Sequence, residues 1–190
     1  MAQHRCPVWV GYFLAGGLRK LLHNPARILS PYVERNMTVL DLGCAMGFFS
    51  LPMAEMVKPE GRVVCVDVQE RMLEVLKKRA ARAGLADRIE THLCGDDTIG
   101  IEGREGSFDF ALAFAVMHEI TDRAPYFREL SHLLKPGARL LLAEPAAHVC
   151  EIDLERTVAV ATEHGFAVTG HPQIRLSRVV LMTKTPPETT

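Results

Sequence analysis

The stretch Val39-Leu-Asp-Leu-Gly-Cys-Ala-Met-Gly47 decides the fold of this chain. An apolar run that carries one acid, Asp41, ends in two glycines four residues apart. This pattern predicts a buried strand that turns sharply into a helix, because glycine adopts backbone conformations that other residues avoid. A carboxylate at the strand end disfavours a neighbouring pyrophosphate and favours a cationic group such as an α-ammonium. An ordinary strand-to-helix turn without a ligand is the alternative interpretation.

Outward from this stretch, short apolar runs alternate with helical patterns. The predicted strands are Thr38–Leu42, Arg62–Asp67, Arg88–Cys94, Ser107–Val116, Ala138–Ala143, Phe166–Gly170 and Ile174–Lys184. The predicted helices are Phe48–Val57, Gln69–Gly84, Arg123–Leu134 and Cys150–His164. This order predicts an α/β fold with a doubly wound, mostly parallel seven-stranded sheet and an antiparallel last pair. Such sheets bind their ligands at the carboxyl ends of the strands.

The 190 residues are enough for a single domain with one hydrophobic core. We divide the chain into an N-terminal helical arm (residues 1–37), a core (38–184) and a frayed tail (185–190). Within the arm, Pro7–Ile28 has a helical pattern rich in aromatic residues. Its Tyr12 and Phe13 either cover a cofactor or pack on the sheet as in any amphipathic helix.

Composition excludes several classes of protein. Hydrophobic residues make up 48% and charged residues 24%, which excludes intrinsic disorder. A net charge of −1 provides no basic excess for a nucleic acid. The longest apolar run is far shorter than the roughly 18 residues that span a bilayer, and no signal-peptide pattern begins the chain. With five scattered cysteines, we expect a reduced, cytoplasmic monomer or homodimer without nucleic-acid or membrane partners.

Two further acids follow predicted strands. Asp67 comes about as far after the glycine turn as the acid that binds both hydroxyls of a ribose in nucleotide-binding sheets. Alternatively, Asp67 and Glu70 form a capping box at the start of the next helix. Asp96 follows the third strand, where its carboxylate either accepts a hydrogen bond from an exocyclic adenine amine or is a solvated loop acid.

In order along the chain, these motifs resemble a class I S-adenosylmethionine-dependent methyltransferase of the small UbiE-like or Methyltransferase-11/31-like type. The resemblance covers about Thr38–Lys184. It rests on the segment ending at Gly47, on Val66-Asp67, Gly95-Asp96, Phe108-Asp109 with Ala115-Val-Met-His118, and Leu134-Lys-Pro-Gly137 with Leu140–Glu144. The family often has glycine where this chain has Ala45, which weakens the cofactor site if that residue needs a positive φ.

The resemblance implies S-adenosylmethionine as cofactor and methyl transfer to a small-molecule acceptor. The residues implied for cofactor binding are Asp41, Gly43, Cys44, Ala45, Gly47, Asp67, Val68, Gly95, Asp96, Ala115 and Tyr12. Among them, Gly43 and its neighbours would face the methionine part, Asp67 the ribose and Asp96 the adenine amine. No long insertion separates the late strands, which favours a small acceptor over a macromolecule.

Candidate catalytic groups follow the fourth and fifth strands: His118, Glu119 and Glu144, with His148 nearby. Histidine is the natural general base near neutral pH. The alternatives are that His118 packs at a helix entry without catalytic use and that Glu144 is part of an ordinary strand exit.

One repeated spacing favours a different chemistry. His4-x-Cys6, His92-x-Cys94 and His148-x-Cys150 share it, and thiolates suit soft metals or metalloids. We expect Cys44 and Cys65 to be core residues and assign no metal site. The rival function is a non-catalytic methyltransferase-like module that binds the cofactor or a thiophilic ion.

Overall fold

The computed structural model describes residues 23–186. Its strands are β1 (Thr38–Leu42), β2 (Arg62–Asp67), β3 (Ile89–Leu93), β4 (Phe108–Phe114), β5 (Leu134–Pro145), β6 (Phe166–Gly170) and β7 (Ser177–Lys184). Its helices are α1 (Pro25–Leu29), α2 (Ser50–Met56), α3 (Glu70–Arg82), α4 (Arg123–Leu133) and α5 (Glu151–Glu163), with a 3-10 turn at Met117–Glu119. None of the helices within these residues is long and apolar enough to cross a bilayer.

The strands form a seven-stranded sheet in the order β3-β2-β1-β4-β5-β7-β6. The pairs β1–β2, β2–β3 and β4–β5 are parallel, whereas β7 runs antiparallel to both β5 and β6. The predicted α/β class, the seven strands and the antiparallel last pair are confirmed. By compactness the chain divides between Cys94 and Gly95 into two units.

The first unit contains β1–β3, α2 and α3. Strand β1 pairs along its whole length with β2, with Asp41 opposite Cys65, and both strands are almost entirely buried. Near-continuous burial explains their apolar runs, since parallel strands are covered on both faces. Helix α3 turns one apolar face inward at Met72, Leu73, Leu76 and Ala80.

The second unit contains β4–β7, α4 and α5. Its core includes three fully buried phenylalanines, Phe108, Phe110 and Phe127, and Phe166 at 1% exposure. The rings of Phe127 in α4 and Phe166 in β6 meet edge to face with centroids 6.1 Å apart. This ring contact packs α4 against β6.

The prediction for β5 was wrong at both ends. The strand begins at Leu134 rather than Ala138, and the preceding helix ends at Leu133. Leu134 adopts an extended conformation (φ −78°, ψ 144°) because it is buried opposite Phe108, before an irregularity shifts the register to Phe110–Arg139. At its other end the strand continues through Glu144 to Pro145. Strand β7 starts at Ser177 rather than Ile174.

The helical arm lies largely outside the described residues, and Tyr12 with it. In the part that is described, Asn24 is extended (φ −79°, ψ 105°) and its side chain accepts a hydrogen bond from Arg27 N. Asn24 therefore caps the helix that begins at Pro25, as residues with this side chain commonly do. Asn24 itself is not helical, although it lies within the predicted helical run Pro7–Ile28.

Candidate active-site residues

The loop between β1 and α2 reverses direction repeatedly. Gly43, Ala45 and Gly47 all lie in the left-handed region, with φ of 64°, 45° and 80°. Glycine occupies that region freely, whereas alanine is disfavoured there. Ala45 is held in place because its N–H donates to Asp67 Oδ2 at 2.8 Å. The position does require a positive φ, and a hydrogen bond supports an alanine in it.

Gly47 has a packing reason to lack a side chain. It is buried, and a Cβ there would lie 2.2 Å from Leu76 Cδ1 in α3. The same helix sends Arg79 to the loop, where its guanidinium donates to the carbonyl of Met46. Helix α3 therefore holds this loop through Arg79.

Asp67 is the last residue of β2, and 7% of its surface is exposed. Besides Ala45 N on Oδ2, Gln69 N donates to Oδ1 at 2.9 Å. Burial raises the pKa of Asp67 from 3.8, and the two backbone hydrogen bonds oppose the shift. The capping-box alternative was wrong, because the N-cap of α3 is Gln69 and Asp67 lies two residues before it. The neighbouring Val68 is half-buried.

The carboxylate of Asp67 can accept further hydrogen bonds besides those two. A carboxylate offers about four acceptor positions, and the two backbone amides occupy two. Two further hydroxyl donors can therefore bind without displacing a protein hydrogen bond. Because both backbone donors hold the oxygens in one orientation, the acceptor geometry is set before a ligand arrives.

Asp41 and Cys44, at the end of β1 and in the loop after it, are both buried. Asp41 is 3% exposed, and its Oδ2 accepts from Ser50 Oγ at 2.5 Å, which ties β1 to the start of α2. Cys44 and Cys65 are buried, as predicted. Burial, and next the contact with Cys65, raise the pKa of the Cys44 thiol well above 9.0, so it remains a neutral thiol. Its side chain is therefore not a reactive thiolate.

In the second unit, the buried carboxylate of Glu144 near the end of β5 connects two neighbours. Its Oε1 accepts from Met117 N at 2.8 Å, and its Oε2 lies 2.5 Å from His118 Nδ1. The Glu144 side chain is 2% exposed and that of His118 is 31% exposed. The imidazole therefore has one nitrogen fixed inside the protein while part of the ring remains accessible.

The surroundings of His118 favour its protonated form. The hydrogen bond to Glu144 is the main cause that raises the pKa of His118 above 6.5, and the charge of exposed Glu119 adds to it. Burial and the charge of Arg123 act in the opposite direction. The His148 ring lies nearly parallel to that of His118, with centroids 6.4 Å apart.

The remaining predicted positions lie at turns of this unit. Ala115, just after β4, has φ of 59° and donates its N–H to Ala143 O at 2.7 Å. Gly95 and Asp96 are exposed. The adjacent Asp97 accepts from Thr121 N at 2.9 Å and helps to fix the loop that carries Asp96.

No group of three or more metal-ligating side chains occurs within residues 23–186. Cys150 donates instead to Asp153 Oδ2 at 3.0 Å at the start of α5. The pair His4 and Cys6 lies outside the described residues. The His-x-Cys spacing therefore has no geometric support as a metal site in this part of the chain.

Sequence reasoning named His118 and Glu144 separately and missed that they form one hydrogen-bonded unit. The available signal was positional, because each residue follows a predicted strand and ligands bind at the carboxyl ends of strands in such sheets. It also missed Glu129 of α4, whose carboxylate accepts from Thr98 Oγ1, Ile99 N and Gly100 N and thereby orders the loop after β3. No sequence spacing indicates that contact.

These features together define a Rossmann-like methyltransferase domain. The chain belongs to the family described as the methyltransferase domain, whose model matches residues 33–171. Among solved structures, it is similar to a SAM-dependent methyltransferase from Aquifex aeolicus, with a TM-score of 0.82 and 21% identity. That similarity covers 94% of this chain and 98% of the other, and it shows the fold.

Curated relatives match part of the chain. It is 32% identical over 108 residues to an uncharacterised 37.1 kDa protein in transposon TN4556 of Streptomyces fradiae, covering 57% of this chain and 30% of that protein. It is 28% identical over 119 residues to the ubiquinone/menaquinone biosynthesis C-methyltransferase UbiE of Enterobacter sp. (strain 638), covering 63% and 47%. The chain thus spans less than half the length of these relatives.

Proposed function

We propose that this protein transfers a methyl group from S-adenosylmethionine to a small-molecule acceptor. The observation that carries the proposal is the carboxylate of Asp67, which two backbone amides orient at the end of β2 with two acceptor positions to spare. The family to which the chain belongs supports the reaction class, as does the similarity to the methyltransferases named above.

When bound, S-adenosylmethionine supplies a methyl group already activated by a sulfonium. The protein's own residues have to bind and orient it. Asp67 would accept from the ribose hydroxyls, and Asp96 from the adenine amine. The backbone of Gly43 and Ala45 would face the methionine part, where the negative charge of Asp41 favours its ammonium group. Orientation alone can contribute roughly 7–11 kcal/mol to such a reaction in favourable cases.

Two features support a small acceptor. The connection between β6 and β7 is only residues 171–176, so no inserted subdomain separates the last strands. The net charge of −1 provides no electrostatic attraction for a nucleic acid. The UbiE relative is itself named as a C-methyltransferase of quinone biosynthesis, which is consistent with a small-molecule acceptor.

Calorimetric titration with S-adenosylmethionine tests the cofactor assignment, with NAD as the control ligand. We expect the wild-type protein to bind S-adenosylmethionine alone. Asp67→Ala should weaken binding by a few kcal/mol at most, since it removes hydrogen bonds to a charged acceptor, worth about 1.5–3 kcal/mol each. Asp67→Asn serves as a second variant that retains the side-chain volume if the alanine variant does not fold.

The matched control is Asp109→Asn. Asp109 lies near the amino end of β4, paired with Lys135 at 2.5 Å, away from the strand end that binds ligands. Its replacement should leave the affinity unchanged. Wild-type affinity in both Asp67 variants would remove Asp67 from the site. Binding without S-adenosylhomocysteine formation from any acceptor would contradict the enzymatic assignment and identify a binding module.

A further inference from the structure

Glu144 and His118 are arranged as a proton-handling pair within the second unit. The Glu144 carboxylate is removed from solvent and held by Met117 N, so it has one orientation in which to meet the ring. Its second oxygen faces His118 Nδ1 at 2.5 Å. A buried carboxylate that already accepts a backbone N–H accepts again here, so Nδ1 carries the hydrogen.

This arrangement determines which ring nitrogen is reactive. In neutral imidazole only one nitrogen carries a hydrogen. With that hydrogen on Nδ1, the lone pair lies on Nε2, and the carboxylate stabilises the cation that forms when Nε2 takes a proton. The same logic applies to carboxylate–histidine pairs in other active sites, where the carboxylate orients the ring and stabilises the imidazolium.

The groups around the ring tune this basicity. Glu144 from β5 and Glu119 from the 3-10 turn stabilise the imidazolium, while Arg123 from α4 opposes it. His148, from the turn after β5, faces the ring with its plane rotated by only 9°. Because the balance raises the pKa of His118 above 6.5, the ring is a stronger base than a free histidine.

We propose that the methyl acceptor is a hydroxyl compound of the phenol or enol type, whose proton is taken by His118 Nε2 with Glu144 as the positioning residue. This proposal rests on the proposed function. In the step, the acceptor O–H bond breaks and its proton goes to Nε2. The oxygen forms the O–CH₃ bond while the S–CH₃ bond breaks. The electron pair of the S–CH₃ bond remains on sulfur in the neutral thioether product.

Acceptor chemistry explains why such a base is needed. A phenol has a pKa of about 10 and is largely protonated near neutral pH. A neutral amine or a trivalent metalloid already presents its lone pair, and a thiol ionises more readily, with a pKa of about 8.5. A carboxylate-supported imidazole is thus of most use to a hydroxyl acceptor, for which a general base contributes about 10²–10⁴-fold.

A binding experiment tests the proton transfer without turnover. The probe is 4-nitrophenol, whose ionised form absorbs visible light, added to the protein with S-adenosylhomocysteine. We expect bound 4-nitrophenol to ionise at a lower pH in the wild type than in His118→Ala. The control His171→Ala, in the exposed loop after β6, should behave as the wild type. Equal ionisation in the wild type and His118→Ala, or no binding of the phenol, would overturn the proposal.

Turnover provides the second test. Catechol is the hydroxyl acceptor, and 2-mercaptoethanol and aniline are the thiol and amine acceptors with which it is compared. We expect methylation of catechol, a loss of about 10²–10⁴-fold in kcat for His118→Ala, and an unchanged affinity for S-adenosylmethionine. In Glu144→Gln, the acid limb of the kcat–pH profile should move to lower pH, because the main cause of the raised His118 pKa is gone. A merely structural Glu144 would lower activity without moving that limb.

The outcomes separate this proposal from the one on which it rests. Failure of the wild type to bind S-adenosylmethionine contradicts the proposed function itself. Normal binding together with methylation of the thiol or amine but not of catechol contradicts the hydroxyl acceptor alone. Full kcat in His118→Ala with catechol would remove His118 as the base.

Discussion

Two buried carboxylates end parallel strands of this protein, one in each unit, and their partners differ. Asp67 at the end of β2 is held by two backbone amides, Ala45 N and Gln69 N. Glu144 near the end of β5 is held by one backbone amide and by the imidazole of His118. Backbone amides do not titrate near neutral pH, whereas an imidazole does. The same chemical group is therefore a fixed acceptor in one unit and a partner in proton transfer in the other.

A second parallel between the units concerns the backbone just after β1 and β4. Ala45 and Ala115 both adopt a positive φ, 45° and 59°, where glycine would be free of strain. Each is held by a hydrogen bond from its own N–H, to Asp67 Oδ2 in the first unit and to Ala143 O in the second. The first of these bonds uses the proposed ligand-binding carboxylate, so the loop and that carboxylate stabilise each other.

The larger of two effects on stability comes from relieving the strain at Ala45. Ala45→Gly should raise the free energy of unfolding by up to about 1 kcal/mol, because the left-handed conformation costs alanine about that much. The matched control Ala81→Gly, on the exposed face of α3, should lower it by about 1 kcal/mol. Urea denaturation of both variants measures the difference, and a similar loss in both would show that the positive φ at Ala45 carries no strain.

The smaller effect is a difference between the two carboxylates in how the free energy of unfolding depends on pH. Because the folded pKa of His118 is raised above 6.5, the stability from its pairing with Glu144 is fully present below 6.5 and is lost as pH rises through the folded pKa. The deficit of Glu144→Gln in unfolding free energy should therefore shrink between about pH 6 and pH 8. For a partly exposed pair, we expect a change below about 1 kcal/mol.

The Asp67 variant provides the contrast for this pH dependence. Its raised pKa means that ionisation in the folded state is disfavoured, so its contribution to stability falls as pH rises from 3.8 through the folded value. That window starts on the acid side and does not involve an imidazole. Urea denaturation of Asp67→Asn should show a deficit that stays level between about pH 6 and pH 8. A deficit that varies there as strongly as that of Glu144→Gln would remove the distinction between the two carboxylates.

The sequence predicts the strands best where a buried apolar run is bounded by residues that end a strand, such as glycine. The bounds of β1, β2 and β6 match the predictions, because each is a short apolar or β-branched run next to a glycine or a charged residue. Strand β5 was misjudged because Leu134 follows the helical period locally, yet its partner across the sheet, Phe108, extends it. Tertiary pairing of this kind leaves no local signal.

In the candidate site, too, the sequence predicts positions but not tertiary contacts. Asp67, His118 and Glu144 could be named from their positions after strands, since ligands bind at that edge of such sheets. Their partners could not be named, because the contacts of Asp67 with Ala45 and of Glu144 with His118 join residues 22 and 26 positions apart. Only folding decides which carboxylate meets an amide and which meets an imidazole.

The affinity of two variants for S-adenosylmethionine tests this division of roles most directly. Calorimetric titration of Asp67→Asn and Glu144→Gln, side by side, compares a proposed cofactor acceptor with a proposed proton partner. The account predicts that Asp67→Asn raises Kd at least about tenfold, or about 1.4 kcal/mol, while Glu144→Gln changes it by less than about twofold. Equal weakening in both variants, or wild-type affinity in Asp67→Asn, would contradict it.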